Sequence, residues 1–223
     1  MTHDDLASGA PGGAPDVAAT AIGEWLAELG SPAPAPGGGA AAALTAAVGA
    51  ALVEMVCNLT IGKPRFAGYE QHVTAVRDRA AKLRTDALGL MGDDAAAFTE
   101  LVATYRLPRE TAEQSARRDS RIQAATAVAA SVPLRIAAAG ADVARLAAQL
   151  PGQSNPTVLS DVGVAAASAA AAIEGAAINV EINLATLKDP DTKAALAGQL
   201  GAHLAEAAGA RELAAQVRRE IAG

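Results

Sequence analysis

One segment limits what this chain can fold into more than any other. Residues 39–62 read GAAAALTAAVGAALVEMVCNLTIG and carry a single charge, at Glu54. Alanine is the best helix former, and Gly62 followed by Pro64 predicts where the helix stops. One side of this helix is lined by residues with almost no side chain, so a neighbouring helix can approach closely there. These residues are Gly39, Ala43, Ala47 and Ala50.

A high alanine content extends along the whole chain and predicts an all-α fold. Hydrophobic residues make up 51% of the 223 residues and aromatic residues only 2%, because most of the apolar content is alanine. Such a core must bring helix backbones together, since few large side chains are present to fill gaps. Apolar spacing and helix breakers predict an antiparallel bundle of about six helices. Their expected positions are about 17–29, 39–62, 69–106, 108–150, 156–187 and 192–221.

The ends and the overall charge set further expectations. Residues 1–16 are acidic and rich in glycine and proline, so we expect a disordered tail followed by one domain over residues 17–223. The tail lacks the basic start and apolar middle of a signal peptide.

A net charge of −6 disfavours nucleic acid and anionic membranes as partners. Cys57 is the only cysteine, so no intrachain disulfide is possible. We expect a cytoplasmic protein without a membrane helix.

Two loops flank the alanine-rich helix and carry candidate binding groups. Gly37 to Gly39 could let backbone amides face an anion, as helix N-termini do, or could simply shape a tight helix entry. The residues alone favour neither interpretation. Lys63 and Arg65 follow the helix and could hold a carboxylate or a phosphate. The alternative is that they are exposed cations near a helix C-terminus.

A third group of candidates lies on one predicted helix. Asp161, next to Ser160, could serve as a general base or pair with a cationic substrate, or could only complement the helix dipole. Asn179 and Asn183 share a face of the same helix. Because 18 residues separate Asp161 from Asn179, a straight helix would hold them roughly 27 Å apart. The asparagines therefore pack helices, hold the far end of a long ligand, or join a site with another subunit.

Three motifs in this order resemble the cyclodeaminase/cyclohydrolase family of folate enzymes. They are the Pro-Gly-Gly-Gly entry with its alanine-rich helix and Leu-Thr-Ile-Gly-Lys turn, then NPTVLSDVGVAA, then EGAAINVEINL. The resemblance covers nearly the whole chain. It implies an all-helical homodimer that binds folate in a cleft near the subunit interface.

The resemblance also implies a set of site residues. Two positions depart from the family pattern, since Ala40 stands where serine is frequent and Phe66 where tyrosine is frequent. The residues that match the family motifs are Pro36, Gly37, Gly38, Gly39, Thr60, Gly62, Lys63, Ser160, Asp161, Asn179 and Asn183.

The chemistry implied by the family is hydrolysis of 5,10-methenyltetrahydrofolate to 10-formyltetrahydrofolate. In this interpretation Asp161 stabilises the amidinium-like cation and takes a proton from water, Lys63 orients the water or polarises the substituents of the carbon, and Arg65 holds the pterin or the glutamate tail. No metal or other cofactor is expected, and the chain has no His-x-x-x-His or cysteine pair. Cyclodeamination of 5-formiminotetrahydrofolate is the second enzymatic hypothesis. A non-catalytic folate-binding or helical interaction protein is the third.

Overall fold

The computed structural model describes residues 21–223, and within this range it contains six α-helices, two short 3₁₀ helices and no strand. The predicted tail (1–16) and the first residues of the first predicted helix (17–20) lie outside the described residues. The prediction of an all-α bundle of about six helices is confirmed. The α-helices are α1 (Ile22–Leu29), α2 (Gly38–Asn58), α3 (Glu70–Thr104), α4 (Ala112–Ala147), α5 (Leu159–Thr186) and α6 (Pro190–Ala222).

Successive long helices run antiparallel, and α2 and α5 form the middle of the bundle. The α2 helix packs against α3, α4 and α5, while α5 also packs against α4 and α6. Because α2 and α5 are antiparallel, the start of α2 meets the end of α5 at Gly38 and Asn179. This topology creates two distinct ends of the bundle, and each of them carries candidate residues.

Small residues hold the helices together at short range, as the alanine-rich composition predicts. A Cβ added at Gly49 would lie 3.1 Å from Val143 of α4 and 3.3 Å from the Ala165 carbonyl oxygen of α5. A Cβ at Gly140 would lie 2.8 Å from Ile173. The predicted small-residue side of the second helix is buried. Close backbone approach thus replaces large side chains as the source of packing in this core.

The predicted start of the fourth helix is wrong by four residues. Pro108 lies in the loop between α3 and α4, and α4 begins at Ala112 behind a capping box. The Thr111 hydroxyl accepts from the Gln114 backbone N–H, and the Gln114 side chain accepts from the Thr111 N–H. This reciprocal pair satisfies two backbone N–H groups at the helix start and so favours a start at Ala112.

Three helical segments within the described residues are long and apolar enough, by length and composition alone, to cross a membrane. They are Gly38–Asn58, Ala112–Ala147 and Pro156–Thr186. All three pack on one another in the bundle, and their hydropathy comes largely from the alanines that form the interhelical contacts.

Candidate functional site

The first candidate site is a cavity of about 340 Å³ at the end of the bundle where α2 begins. The glycine-rich entry forms one wall through Gly37, Gly38 and Gly39, and the second half of α3 and the last turns of α5 form the others. This volume fits part of a drug-sized ligand. The predicted glycines, Asn179 and Asn183 line this cavity together, and Pro36 lies within the same glycine-rich entry.

A carboxylate from α3 stands directly against the glycine entry. A Cβ on Gly39 would overlap the whole Asp94 carboxylate, so only glycine leaves room for it. The carboxylate accepts a hydrogen bond from the backbone N–H of Ala40. Partial burial raises the pKa of Asp94, and the Ala40 hydrogen bond opposes this effect without cancelling it. The cavity therefore holds an acid whose proton is easier to retain than that of an exposed aspartate.

The two predicted asparagines lie on the opposite wall. Asn179 donates from Nδ2 to the Gly175 carbonyl oxygen at 2.9 Å. Asn183 donates from Nδ2 to the carbonyl oxygens of Ala129 at 3.0 Å and of Asn179 at 2.7 Å. The bond to Ala129 joins α5 to α4, and the two bonds within α5 help to fix the orientation of both amides. Asn183 thus packs α5 on α4 and both asparagines face the cavity, while a contact with a ligand stays a prediction.

Two of the five aromatic side chains of this protein line the cavity. The chain has only two phenylalanines, two tyrosines and one tryptophan. Phe98 and Tyr105 of α3 both line the cavity, beside Leu101 and Ile182. Phe98 is four residues after Asp94, so the two side chains lie on the same face of α3. A flat ring can therefore be held between aromatic and aliphatic groups while it contacts polar groups at its edge.

The second group of predicted residues lies at the other end of α2. Thr60 is buried, donates to the Val56 carbonyl oxygen at 2.8 Å and accepts from the Asn155 backbone N–H at 3.0 Å. The Asn155 side chain donates to the Leu59 carbonyl oxygen at 3.2 Å. These bonds attach the turn after α2 to the loop before α5. Thr60 therefore has a structural role in addition to any contact with a ligand.

The remaining predicted residues surround this junction. Lys63 and Arg65 are exposed, and the Arg65 guanidinium lies 5.6 Å from the centre of the Phe66 ring. Gly62 has a φ of +76°, a conformation that favours glycine and directs the chain into the Pro64–Tyr69 3₁₀ helix. Ser160 is exposed and Asp161 is half-buried in the first turn of α5.

The structure thus separates the predicted residues into two clusters. One contains the glycine entry and both asparagines, and the other contains Thr60, Lys63, Arg65, Ser160 and Asp161. The 21 residues of α2 span roughly 30 Å, so the clusters cannot contact one small reacting centre within one chain. Among the described residues, no group of three or more histidine, cysteine, aspartate or glutamate side chains is placed to hold a metal ion.

Sequence reasoning missed Asp94, Phe98 and Tyr105. A signal was present, because GDDAAAF places a carboxylate and an aromatic ring four residues apart on a helix. What the sequence did not show is that this part of α3 lies against the glycine entry. Asp94 and Gly39 are 55 positions apart, and only the antiparallel pairing of α2 and α3 joins them.

The fold and the cavity define a helical-bundle protein with one lined cavity at the end where α2 begins. Comparison with known proteins then assigns the chain. The family model described as formiminotransferase-cyclodeaminase matches residues 21–202, and the chain belongs to that family. The predicted family resemblance is confirmed.

Two relatives and one solved structure illustrate the match. A methenyltetrahydrofolate cyclohydrolase of Methylorubrum extorquens is 42% identical over 165 residues, which cover 74% of this chain and 79% of the relative. The formimidoyltransferase-cyclodeaminase of Sus scrofa is 34% identical over 82% of this chain, but the match covers only 34% of that relative. The crystal structure of a formiminotetrahydrofolate cyclodeaminase from Thermotoga maritima superposes with a TM-score of 0.84, covers 93% of this chain and 100% of its own, and shares 24% identity.

Proposed function

We propose that this protein is an enzyme of folate one-carbon metabolism that hydrolyses 5,10-methenyltetrahydrofolate to 10-formyltetrahydrofolate. The observation that carries the proposal is the 42% identity to a methenyltetrahydrofolate cyclohydrolase, over 79% of that protein's length. The match to formimidoyltransferase-cyclodeaminases is weaker and spans about a third of their length.

The cavity supports this proposal through its chemistry. A pterin is flat and has hydrogen-bonding groups at its edge, which suits a site with Phe98 and Tyr105 on one wall and Asn179 and Asn183 on another. The methenyl carbon of the substrate lies in a cationic N5–C–N10 unit. Asp94 offers a carboxylate in the same cavity, where reduced water access strengthens its attraction for a cation.

We also propose that the protein is a homodimer. An apolar face remains exposed along the two central helices, and such a face is typical of a subunit interface. On α2 and its C-terminal cap it includes Val48, Met55 and Leu59, and on α5 it includes Val164, Ile178 and Ile182. We call this the α2–α5 face.

A two-fold dimer through the α2–α5 face would also bring the two predicted clusters close together, one from each protomer. Where the two-fold axis is perpendicular to the helices, equivalent helices that meet across it run antiparallel, so the start of one α2 lies near the end of the other. The Lys63 and Asp161 cluster of one protomer would then approach the glycine-entry cavity of its partner. Under this proposal Lys63, Arg65 and Asp161 keep their predicted roles in orienting water, holding the anionic tail and stabilising the cation.

We further propose a cytoplasmic protein that needs no cofactor and binds neither nucleic acid nor membranes. The net charge of −6 is unfavourable for polyanions. The polar side chains that line the cavity are a carboxylate, two amides and a phenol, which suit direct binding of an organic substrate.

The test is the loss of near-ultraviolet absorbance of 5,10-methenyltetrahydrofolate with purified protein, measured against a blank because this compound also hydrolyses unaided. If the protein catalyses hydrolysis, the rate of absorbance loss exceeds that of the blank by an amount proportional to the protein concentration. A rate equal to the blank at every protein concentration would refute the proposal.

Cyclodeamination is the second candidate function, because several relatives carry the name formimidoyltransferase-cyclodeaminase. In that reaction N10 of 5-formiminotetrahydrofolate attacks the formimino carbon and ammonia leaves. Ammonia release from that substrate tests it directly. A non-catalytic folate-binding protein, the hypothesis to which Ala40 and Phe66 point, would instead show thermal stabilisation by folates without turnover.

A further inference from the structure

We propose that Asn155 is a positioning residue for the hydrolysis, because it holds the turn that carries Lys63 and the helix start that carries Asp161 in one fixed arrangement. This inference rests on the proposed function, in which these two charged groups act together at the reacting carbon. Asn155 acts through the backbone of both segments and not through a contact with the substrate.

Asn155 belongs to a buried hydrogen-bond network that joins two segments 95 and 96 positions apart. Its backbone N–H donates to the Thr60 hydroxyl at 3.0 Å, and its side-chain Nδ2 donates to the Leu59 carbonyl oxygen at 3.2 Å. Asn155 and Thr60 are only 7% and 2% exposed. The Thr60 hydroxyl donates in turn to the Val56 carbonyl oxygen, so the network is anchored in the last turn of α2. Because these groups are buried, breaking one of the bonds leaves a polar group without a partner.

Backbone hydrogen bonds extend the network toward both charged residues. The Lys63 N–H donates to the Thr60 carbonyl oxygen at 3.4 Å, and the Val158 N–H donates to the Asn155 carbonyl oxygen at 3.2 Å. Val158 is the residue directly before α5, and Asp161 lies in the first turn of that helix. A series of three hydrogen bonds thus runs from Lys63 through Thr60 and Asn155 to the start of α5.

The backbone sets the positions of the two charged groups. Within residues 21–223, neither the Lys63 ammonium nor the Asp161 carboxylate has a hydrogen-bond or ion-pair partner on another residue. Groups that no other side chain holds depend on the segments that carry them. The network that joins those segments therefore decides where the ammonium and the carboxylate can act.

The side-chain type at position 155 fits this role. The Asn155 Oδ1 accepts from the Thr157 N–H at 3.2 Å and from the Thr157 hydroxyl at 2.9 Å, as an N-cap does. Aspartate and serine cap helix starts as well as asparagine does, but an ionised aspartate has no donor for the Leu59 carbonyl oxygen, and serine is shorter. The amide combines the local cap with the bond to the other segment.

The experiment compares Asn155→Ser with Ser154→Ala in the full chain. Serine remains an N-cap but is too short for the bond to Leu59. Ser154 is the matched control, because it directly precedes Asn155, is 7% exposed and donates to the Leu150 carbonyl oxygen at 2.9 Å, within its own loop. All rates are measured well below the lowest Tm of the set, so that every variant is folded.

We expect Asn155→Ser to lower kcat at least about 10-fold, since a displacement of about 1 Å can cost roughly 100-fold in rate. KM should change less, because the residues that line the glycine-entry cavity are untouched. Thr60→Val should lower kcat in the same way, and Thr60→Ser, which keeps the hydroxyl, should recover most of the loss. Ser154→Ala should stay within about two-fold of the wild-type kcat, even if its Tm falls as far, because it displaces no reacting group.

Amide hydrogen exchange, followed by mass spectrometry, measures the link between the two segments without any substrate. Asn155→Ser should speed exchange in residues 59–66, on the other side of the network from the substitution. Thr60→Val should speed exchange in residues 156–163 for the same reason. Ser154→Ala should leave exchange in residues 59–66 unchanged.

Three outcomes overturn the inference. In the first, Asn155→Ser and Thr60→Val fold and keep the wild-type kcat, so the network does not position the reacting groups. In the second, Ser154→Ala loses as much kcat as Asn155→Ser, so any buried substitution in this loop has the same effect. In the third, exchange rises only in the segment that carries the substitution, so the network does not link the two segments.

Two further results remain decisive. If Asn155→Ser does not fold, the comparison of Thr60→Val with Thr60→Ser decides in the same way. If the wild type itself matches the blank, the proposed function fails, and hydrogen exchange still decides whether Asn155 holds the two segments together.

Discussion

The closeness of Gly39 and Asp94 predicts a specific response to one added methyl group. In Gly39→Ala, the new Cβ would occupy the position of the Asp94 carboxylate. Asp94 is short and stands beside an open cavity, so its side chain can rotate away from α2. That movement breaks the hydrogen bond from the Ala40 N–H and removes the carboxylate from its site.

The expected change in the free energy of unfolding for Gly39→Ala follows from two opposing contributions. Replacing glycine by alanine in a helix stabilises by up to about 1 kcal/mol. Losing a hydrogen bond to a charged group costs about 1.5–3 kcal/mol. The loss exceeds the gain, so we expect Gly39→Ala to reduce the free energy of unfolding by about 1 kcal/mol. In a chain of this size that corresponds to a fall in Tm of about 2–4 °C.

The assay is urea unfolding of a double-mutant cycle at neutral pH. In an Asp94→Ala background no carboxylate opposes the new methyl group, so Gly39→Ala should become neutral or stabilising, with a coupling of about 2 kcal/mol. Gly38→Ala is the matched control, and it should not destabilise in either background. If Gly39→Ala costs the same with and without Asp94, the proposed overlap is not what requires glycine.

The remaining predictions concern packing and the buried thiol. Thr60→Val should destabilise by about 1–3 kcal/mol in urea unfolding, because the Asn155 N–H loses its acceptor in a buried position. Gly140→Ala should cost about 1–3 kcal/mol in the same assay, because a Cβ there meets Ile173 at 2.8 Å and overpacks the α4–α5 contact. Cys57 is buried, and burial raises its pKa to about 12, so at pH 8 a thiol reagent should react with it only as the chain unfolds.

The Thr60 and Gly140 predictions each have a control variant at another position of the chain. Thr45→Val removes a half-buried hydroxyl that only donates to its own helix, so it should cost less than Thr60→Val. Gly209→Ala adds a methyl group with nothing within 4 Å and should stabilise by up to about 1 kcal/mol. Equal effects within either pair would contradict the structural explanation. For Cys57, labelling of the native protein as fast as that of the urea-unfolded protein would contradict the burial argument.

The helices were predictable because their signals are local. Alanine content, glycine and proline breakers and apolar spacing act within a few residues. One error, the start of α4, came from a local capping box that was overlooked, and another arose where a distant contact decides the boundary. The α2 helix ends at Asn58 rather than near Gly62, in a turn where Thr60 and Leu59 bond to Asn155, almost a hundred positions later. No pattern within residues 39–62 carries that information.

The candidate site was predictable only in part, for the same reason. Motifs identified the glycine entry and the two asparagines, which the structure brings to one cavity. Asp94 carries no motif of its own, since Asp93 beside it has the same chemistry and faces solvent. Successive residues of a helix point about 100° apart, so only one of the two aspartates faces α2. Which one does so depends on how α3 packs against the glycine entry.

The two carboxylates, Asp94 in the cavity and Asp161 at the far end of α5, together give a decisive test of the proposed dimer. If one site takes Asp94 from one protomer and Asp161 from its partner, Asp94→Asn and Asp161→Asn should each be inactive alone. Mixed dimers of the two variants would then contain one site with both substitutions and one site with neither. Random assembly makes half of the dimers mixed, so about a quarter of all sites should be intact.

We therefore expect co-refolding of the two inactive variants to restore about a quarter of wild-type activity. Separately folded variants, mixed afterwards under conditions where subunits do not exchange, should restore none. Recovery cannot arise from a site built within one chain, because every chain in the mixture lacks one carboxylate. No recovery on co-refolding would place the whole site in one protomer. Since the two ends of α5 cannot touch one small centre, Asp161 would then be left with a structural role at its helix N-terminus.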